Sequence, residues 1–230
     1  MAAINRRDVL GNRGWEMKEK ILYHGIPIVG RMPLFNAEMR QAVRDDRKGQ
    51  TRRPMDPQPV LVSDAWRWKN IAWGVGGAQI SDEFIVDHCP YGKIGDVRCL
   101  CEPLVRGLDE MTYYRDDVDT RPLYSGDITQ VISLVTGKPI PWRWKRDTLT
   151  SIHMPTEAAR TVCRVTDIRV ERVQDITFDG MKAEGLYSTI GYGPIYYEMW
   201  QELWNSIYAK RGYGFAVNPH VWVNVFEKVV

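Results

Sequence analysis

The chain is organised around the segment Asp45-Asp46-Arg47-Lys48-Gly49-Gln50-Thr51-Arg52-Arg53. A helix from Ala37 to about Arg47, with Asn36 as its N-cap, is predicted to lead into this segment. Lys48 and Thr51 are three residues apart, so this spacing predicts that they lie on one side of a helical turn. The glycine between them lets the backbone leave helical geometry. The segment therefore concentrates a lysine, a hydroxyl group and two arginines in one short turn.

These residue types suggest two interpretations. A primary amine beside a threonine hydroxyl can form a nucleophile with its base. The guanidinium groups of Arg52 and Arg53 are suited to phosphate or carboxylate. The alternative is a solvated basic helix end, where cations complement the helix dipole. The residues of the segment leave both interpretations open.

Composition sets the class of protein. The 230 residues are 44% hydrophobic and 26% charged, typical of a soluble globular chain of one large domain or two small ones. The net charge of +2 does not by itself indicate a nucleic-acid binder, but the window 31–53 holds seven Lys/Arg against three Asp/Glu. We expect no membrane-spanning segment and no signal peptide. Four cysteines do not indicate a disulfide framework, so we expect a cytoplasmic protein.

Periodicity predicts an α+β fold. The predicted strands are Ile21–Val29, Val60–Val62, a stretch from Trp66 to Trp73, Val97–Leu104 carrying Glu102, the alternating Thr161–Val173, and Val221–Val230. Ile195–Lys210 is predicted to be a helix, whose aromatic residues recur every four positions and pack in the core. Residues 1–20 are predicted to form an extension, and residues 21–230 a single domain with an excursion at about 106–150.

A set of motifs supports a more specific expectation. In chain order they are Lys48-x-x-Thr51-Arg52-Arg53, Cys89-Pro90-Tyr91-Gly92-Lys93-Ile94-Gly95-Asp96, Glu102, Ser151-Ile152-His153-Met154-Pro155 and Asn218-Pro219-His220-Val221-Trp222-Val223. Together they resemble the pattern of ASCH-domain proteins of the PUA-like superfamily, specifically a group common in phages and prophages. The resemblance covers about residues 20 to 229. It implies a small PUA-like β-barrel with helices around it, in the cytoplasm of an infected bacterium.

The chain is more distantly similar to acetylcytidine amidohydrolases of the ASCH group. That similarity implies an active site of Lys48, Thr51 and Glu102, in which Thr51 attacks an acyl carbon, Lys48 is the base and Glu102 holds or relays protons. Lys48 must be neutral for this role, so its pKa must be lowered by burial or by a cationic neighbour such as Arg52. Cys101 before Glu102 departs from the phage pattern, which puts the substrate in doubt more than the fold.

Four further residues are candidates for the binding site: Arg52, Arg53, His153 and Asn218. His153 has the alternative of a hydrogen-bonded structural residue. Asn218 can reach a base edge through its amide, or it can form a turn at the start of a strand. Cys99 and Cys101 share a strand face, but their spacing is not that of a zinc site, so we predict no metal and no cofactor.

Two functions from different classes follow. The first is a module that binds nucleic acid or a modified nucleobase, with Lys48, Arg52 and Arg53 contacting phosphate. The alternative is an amidohydrolase that removes an acyl group from a modified cytosine nucleoside. Both predict that Lys48, Thr51 and Glu102 lie in one cleft. Fold-level analogy does not choose between them.

Overall fold

The computed structural model of the chain describes residues 21–23, 25–63, 65–69, 71–75, 88–120, 130–187 and 193–229. Helices and β-sheets are both present, which confirms the predicted α+β class. The predicted extension, residues 1–20, and residues 121–129 of the predicted excursion lie outside the described residues.

The strands, in chain order, are β1 (Leu22–Tyr23), β2 (Ile26–Arg31), β3 (Gln50–Pro54), β4 (Val60–Val62), β5 (Ala65–Trp68), β6 (Ile71–Val75), β7 (Val97–Cys99), β8 (Leu104–Arg106), β9 (Thr112–Tyr114), β10 (Thr148–Leu149), β11 (Val162–Arg172) and β12 (His220–Lys228). The α-helices are α1 (Ala37–Arg44), α2 (Arg115–Thr120), α3 (Phe178–Ala183) and α4 (Gly193–Tyr208).

The main sheet has the strand order β1-β2-β7-β11-β12-β3. The β2–β7 pair is parallel and the other pairs are antiparallel. The long β11–β12 pair forms the centre of this sheet. The register of the pair shifts between Val165 and Asp167, and the apolar residues of β11 after the shift still face the core. β3 pairs with β12 at one end of this order, so the organising segment lies at a sheet edge.

The core lies on both faces of β12, because successive side chains of a strand point to opposite sides. Val221 and Val223 pack with the tryptophans of α4, whereas Trp222 and Phe226 belong to clusters on the other face. Along α4 the aromatic stripe of Tyr196, Trp200, Trp204 and Tyr208 is buried, as predicted. The helix therefore covers the face of the sheet that carries the even-numbered residues of β3.

The organising segment differs from its prediction. Asn36 caps α1 by accepting a hydrogen bond from the Met39 backbone, but the helix ends at Arg44, three residues early. Asp46 adopts a left-handed conformation with φ 57°, and the chain then enters β3. The prediction that Lys48 and Thr51 share a helical turn was therefore wrong. Pairing with β12 gives this backbone its hydrogen-bond partners and overrides the local helical pattern.

The strand predicted at Val97–Leu104 is divided. β7 ends at Cys99 and β8 begins at Leu104, so Glu102 lies in the connection between them rather than on a strand. The backbone of Glu102 donates to the Met154 sulfur at 3.2 Å. The predicted first strand is likewise divided into β1 and β2 by a turn at Gly25, whose φ of +82° favours glycine.

Candidate functional site

The approach to β3 is fixed by three contacts of the backbone. Lys48 forms an isolated antiparallel bridge with Glu184, at the end of α3. The Gly49 amide donates to the Ala183 carbonyl at 2.9 Å, and the Phe226 amide donates to the Gly49 carbonyl at 2.8 Å. The end of α3 and the strand β12 therefore hold the organising segment from two sides.

Lys48 is a buried cation with an acidic partner. Its side chain is only 1% exposed, and its Nζ donates to the Glu184 carboxylate at 2.8 Å and to the Glu184 carbonyl at 2.7 Å. The ring of Phe35 lies 5.4 Å from Nζ. Burial lowers the pKa of Lys48, and the Glu184 carboxylate opposes this effect without cancelling it. The direction of the shift is the one that a lysine base requires.

Arg52 lies beside Lys48 and shares its partner. Its Nη1 donates to Glu184 at 3.2 Å and its Nη2 donates to Glu171 at 2.7 Å. The side chain is 2% exposed and its guanidinium carbon lies 6.0 Å from the Trp200 ring centroid. Its Nε has no hydrogen-bond partner among the described residues. Arg52 therefore keeps one buried donor unpaired within the part of the chain that the structure describes.

The pairs join into a chain of alternating charge, which we call the lysine cluster. Its members, in order of contact, are Lys48, Glu184, Arg52, Glu171, Arg169 and Asp167. Burial favours the protonated form of Glu171, but hydrogen bonds from Arg169 and Arg52 outweigh it and lower its pKa. The cluster holds three cations and three carboxylates, so its formal charge is zero.

A cleft of about 280 Å³, partly open to solvent, adjoins the buried end of this cluster. It is lined by Met39, Lys48, Thr51, Arg52, Arg53, Glu184, Trp200, Leu203, Trp204, Ile207 and Tyr208. Arg53 is held at its rim, with Nη1 donating to the Tyr208 hydroxyl at 2.6 Å and Nη2 to the Leu34 carbonyl at 2.7 Å. Four residues that the sequence indicated, Lys48, Thr51, Arg52 and Arg53, therefore line one cleft, with an apolar and aromatic wall from α4.

Glu102 is not among the residues that line this cleft. Its carboxylate is completely buried and receives two hydrogen bonds from Arg160, at 2.8 and 2.9 Å, and one from Arg44. Arg160 also binds Asp117 at 2.6 and 2.8 Å. The acid that contacts Lys48 is Glu184 instead.

Glu102 belongs to a second chain of alternating charge, which we call the arginine cluster. Its members, in order of contact, are Arg40, Asp116, Arg44, Glu102, Arg160 and Asp117. It ties α1 to α2 and to the β7–β8 connection. All three of its cations are arginines, which do not act as bases in proteins.

The other two candidates also lie outside the lining of the cleft. His153 is exposed in a 3-10 turn at Ser151–His153. Asn218 has φ 49° just before β12, its Oδ1 accepts a hydrogen bond from the Gln174 amide at 3.1 Å, and its carbonyl accepts one from Arg172 at 2.9 Å. These contacts match the alternative in which Asn218 forms a turn at the start of a strand.

The sequence analysis missed Glu184 and Asn224. Glu184 lies at the end of α3, and nothing in its local sequence indicates a lysine 136 residues away. Asn224 interrupts the apolar strand β12, which is the signal that could have drawn attention to it. Its side chain is buried, and neither its nitrogen nor its oxygen has a hydrogen-bond partner among the described residues.

Two further pairs of residues, one of tryptophans and one of cysteines, pack in the interior away from the cleft. Trp142 and Trp144 pack against a core cluster, with ring centroids 4.8 Å apart. Cys99 and Cys101 are buried free thiols. Within the described ranges, no three His, Cys, Asp or Glu residues are grouped so that they could hold a metal ion. In the same part of the chain, no helix is both long and apolar enough to cross a bilayer.

Solved structures include a weakly similar neighbour of this chain. No protein-family model matches the chain, and no curated protein matches it. The crystal structure of protein EF3133 from Enterococcus faecalis V583, described as DUF984, is similar over 90% of this chain and 80% of that chain, with a TM-score of 0.39 and 11% identity. At this TM-score the similarity does not define a class for the chain.

Proposed function

We propose that the chain is an ASCH-type, PUA-like protein, whose main sheet belongs to a PUA-like barrel and whose cleft binds a nucleobase or nucleoside. The observation that carries the proposal is the cleft itself. Buried polar side chains of Lys48, Arg52 and Glu184 converge there on a partly open space beside the apolar and aromatic side chains of α4. An aromatic and aliphatic wall beside buried polar groups suits a planar heterocycle.

The burial of the two cations and their pairing with carboxylates favour binding of a base over binding of a phosphate. Lys48 and Arg52 are almost completely buried and already paired with Glu184 and Glu171. A phosphate would have to displace those carboxylates, and the cluster has no excess positive charge to attract it. A neutral ring can bind without displacing the carboxylates and without an excess of positive charge. We therefore assign Lys48 and Arg52 to the recognition of a neutral ligand.

A titration with nucleosides, followed by calorimetry, tests this proposal. Ile207 lines the cleft and its side chain is 38% exposed, so Ile207→Trp fills the cleft without disturbing the lysine cluster. We expect this change to weaken binding about ten-fold or more, because the ligand loses its space. Val217→Trp is the matched control at an exposed position outside the lining of the cleft. Equal affinity in both variants would overturn the assignment of the cleft.

A specific observation favours a second candidate function, an amidohydrolase that acts on an acylated base. The pKa of Lys48 is lowered by burial, and Thr51 lines the same cleft. In this proposal neutral Lys48 takes the proton as the Thr51 oxygen attacks the acyl carbon, and it then returns that proton to the departing amine. Water hydrolyses the ester left on Thr51. Glu184 orients Lys48, in place of the Glu102 that the resemblance implied, and the unused Nε–H of Arg52 is a donor for the developing oxyanion.

Chromatographic analysis of N4-acetylcytidine turnover tests the second candidate. Thr51→Val removes the hydroxyl and keeps a β-branched side chain, so turnover should fall by several orders of magnitude. Thr51→Ser keeps the hydroxyl and should retain part of the rate. An absence of turnover by the wild type at every pH from about 6 to 10 would contradict the hydrolase and leave nucleoside binding standing.

A further inference from the structure

Two arginines at the rim of the cleft carry positive charge that no carboxylate balances within the part of the chain that the structure describes. Arg53 lines the cleft, and its hydrogen bonds go to neutral oxygens, those of Tyr208 and Leu34. Arg211 is exposed just beyond the end of α4, with its guanidinium carbon 5.7 Å from the centroid of the Tyr208 ring. Among the described residues, neither arginine forms an ion pair with a carboxylate. The rim therefore differs from the lysine cluster, in which every cation is paired.

The side chain of Tyr208 brings the two arginines together. Its hydroxyl accepts a hydrogen bond from Arg53 Nη1 at 2.6 Å, and Arg211 lies over its ring. A tyrosine hydroxyl can donate as well as accept, and the proton of this one has no acceptor among the described residues. Tyr91 belongs to the same surroundings, because burial raises its pKa while the charges of Arg53 and Arg211 oppose that effect. Two guanidinium groups and an unused hydroxyl donor thus lie at one part of the rim.

Each arginine also has a structural use, but that use leaves its charge available. A cation at the C-terminal end of a helix complements the helix dipole, which suits Arg211 after α4. Arg53 lies with its guanidinium carbon 5.6 Å from the ring of Phe35. Asp56, an acid on this side, interacts with the hydroxyl of Tyr213. A guanidinium group has five N–H donors, and Arg53 uses two of its nitrogens on neutral oxygens, so donors remain for an anion.

We propose that Arg53 and Arg211, with the hydroxyl of Tyr208, bind the phosphate of a nucleotide whose base occupies the cleft. Guanidinium groups suit phosphate because their planar set of N–H donors matches its oxygens. A phosphate at the rim leaves the carboxylates of the lysine cluster in place, so it is compatible with a neutral ring beside Lys48 and Arg52. This inference rests on the proposed nucleobase cleft and specifies its ligand as a phosphate ester. Of the three cations that the sequence assigned to phosphate, it retains Arg53, and it adds Arg211.

Calorimetric titration with matched ligands, a nucleoside and its 5′-monophosphate, tests the inference for cytidine and for adenosine. In the wild type at low salt the monophosphate should bind about ten-fold or more tightly than the nucleoside, and salt should reduce this preference. Arg211→Gln should remove most of the preference and keep the nucleoside affinity within about two-fold of the wild type. Arg211→Lys keeps the charge and should retain part of the preference. Arg146→Gln is the matched control, because it removes the same charge from an exposed position outside the lining of the cleft.

The proposed function and this inference fail differently. A wild type that binds neither ligand refutes the cleft and the inference together. Nucleoside and monophosphate affinities within about two-fold of each other would overturn the inference and leave the nucleobase cleft standing. An Arg211→Gln protein that binds both ligands equally more weakly would also overturn it, since Arg211 would then shape the cleft instead of binding phosphate.

The phosphate ester can belong to a mononucleotide or to a nucleic-acid strand, and a single-stranded oligocytidylate distinguishes these sources. In both cases Arg211→Gln must weaken binding. If the strand is the ligand, its affinity should fall more steeply with salt than that of cytidine 5′-monophosphate, by about 0.7 in the log–log slope for each additional phosphate contact. Equal slopes would identify the mononucleotide. An oligocytidylate affinity that Arg211→Gln and Arg146→Gln reduce equally would overturn the assignment of the phosphate to the rim.

Discussion

The lysine cluster and the arginine cluster are built on the same plan from different cations. Each is a chain of six alternating charges with three cations and three carboxylates. In the arginine cluster the most buried member is Glu102, which lies between two arginines. In the lysine cluster the most buried member is Lys48, at the end of the chain and against the cleft, and exposure increases toward Asp167.

This difference separates a network of fixed cations from one that ends in a buried lysine. Guanidinium groups stay protonated in proteins, so no cation of the arginine cluster acts as a base near neutral pH. A buried lysine changes its protonation state readily, and the terminal position of Lys48 leaves the cleft side of its ammonium group open to a ligand. The resemblance directed attention to Glu102, but the contacts direct it to Glu184.

The largest effect is expected from Glu184→Ala, which removes the carboxylate that Lys48 and Arg52 share. Lys48 and Arg52 would remain buried without their shared carboxylate, so the free energy of unfolding should fall by about 3–5 kcal/mol. Urea denaturation measures this loss, and nucleoside titration should show no binding. Glu202→Ala, at an exposed position on α4, is the control and should change the free energy of unfolding by less than about 0.5 kcal/mol. A loss below about 1 kcal/mol for Glu184→Ala would contradict the importance of the cluster.

Glu102→Ala likewise removes a carboxylate that two cations share, here Arg44 and Arg160 of the arginine cluster. Its partners Arg44 and Arg160 are 14% and 28% exposed and can regain water, so we expect a smaller loss of about 2–3 kcal/mol in the free energy of unfolding. Nucleoside affinity, measured where the variant is folded, should stay within about two-fold of the wild type. If the Glu102→Ala protein is folded but no longer binds nucleoside, Glu102 contributes to the binding site.

Lys48→Met tests the lysine through the pH dependence of stability. The folded protein lowers the pKa of Lys48 from its ordinary value of 10.5, so the unfolded chain binds more protons between the lowered pKa and that value. Stability from this group therefore rises with pH across that window, by up to about 1.4 kcal/mol per pH unit. The difference in unfolding free energy between wild type and Lys48→Met, measured at increasing pH, isolates this rise from the other titrating groups. Parallel pH profiles would contradict a lowered pKa.

The smallest effect is expected from an exposed ion pair. Arg164 and Glu227 contact at 3.2 Å across β11 and β12, with side chains 40% and 57% exposed. Arg164→Ala should change the free energy of unfolding by about 0–1 kcal/mol, because solvent screens the pair. Thermal denaturation of wild type and variant in low and high salt measures this change and its dependence on screening. A larger loss would contradict the expectation that solvent screens exposed ion pairs in this protein.

Local patterns in the sequence predicted much of the fold. The Asn36 cap, the alternation that became β11 and the four-residue aromatic spacing of α4 each depend on neighbours in the chain, and each is present in the structure. The turn at Lys48 was predicted wrongly, since the hydrogen bonds that shape it come from β12 and from the end of α3.

For the same reason, the sequence predicted only some of the residues that form the candidate site. Lys48, Thr51, Arg52 and Arg53 are neighbours in sequence and reach the cleft together. Their acidic partner is remote, and no periodicity distinguishes Glu184 from Glu102. Asn218 and Asn224 show the same limit, because whether an amide is already hydrogen-bonded depends on contacts that the sequence does not contain.

The distance along the chain between Lys48 and Glu184 also has a consequence for the order of folding. The two residues are 136 positions apart, Arg52 and Glu171 are 119 apart, and β3 is anchored to a strand that is made later than either acid. Closing such long loops costs entropy before the contacts are gained, so the cleft is among the last parts of the protein to form. Until β12 has left the ribosome, a growing chain carries Lys48 and Arg52 as hydrated cations, without the buried surroundings that give them their chemistry.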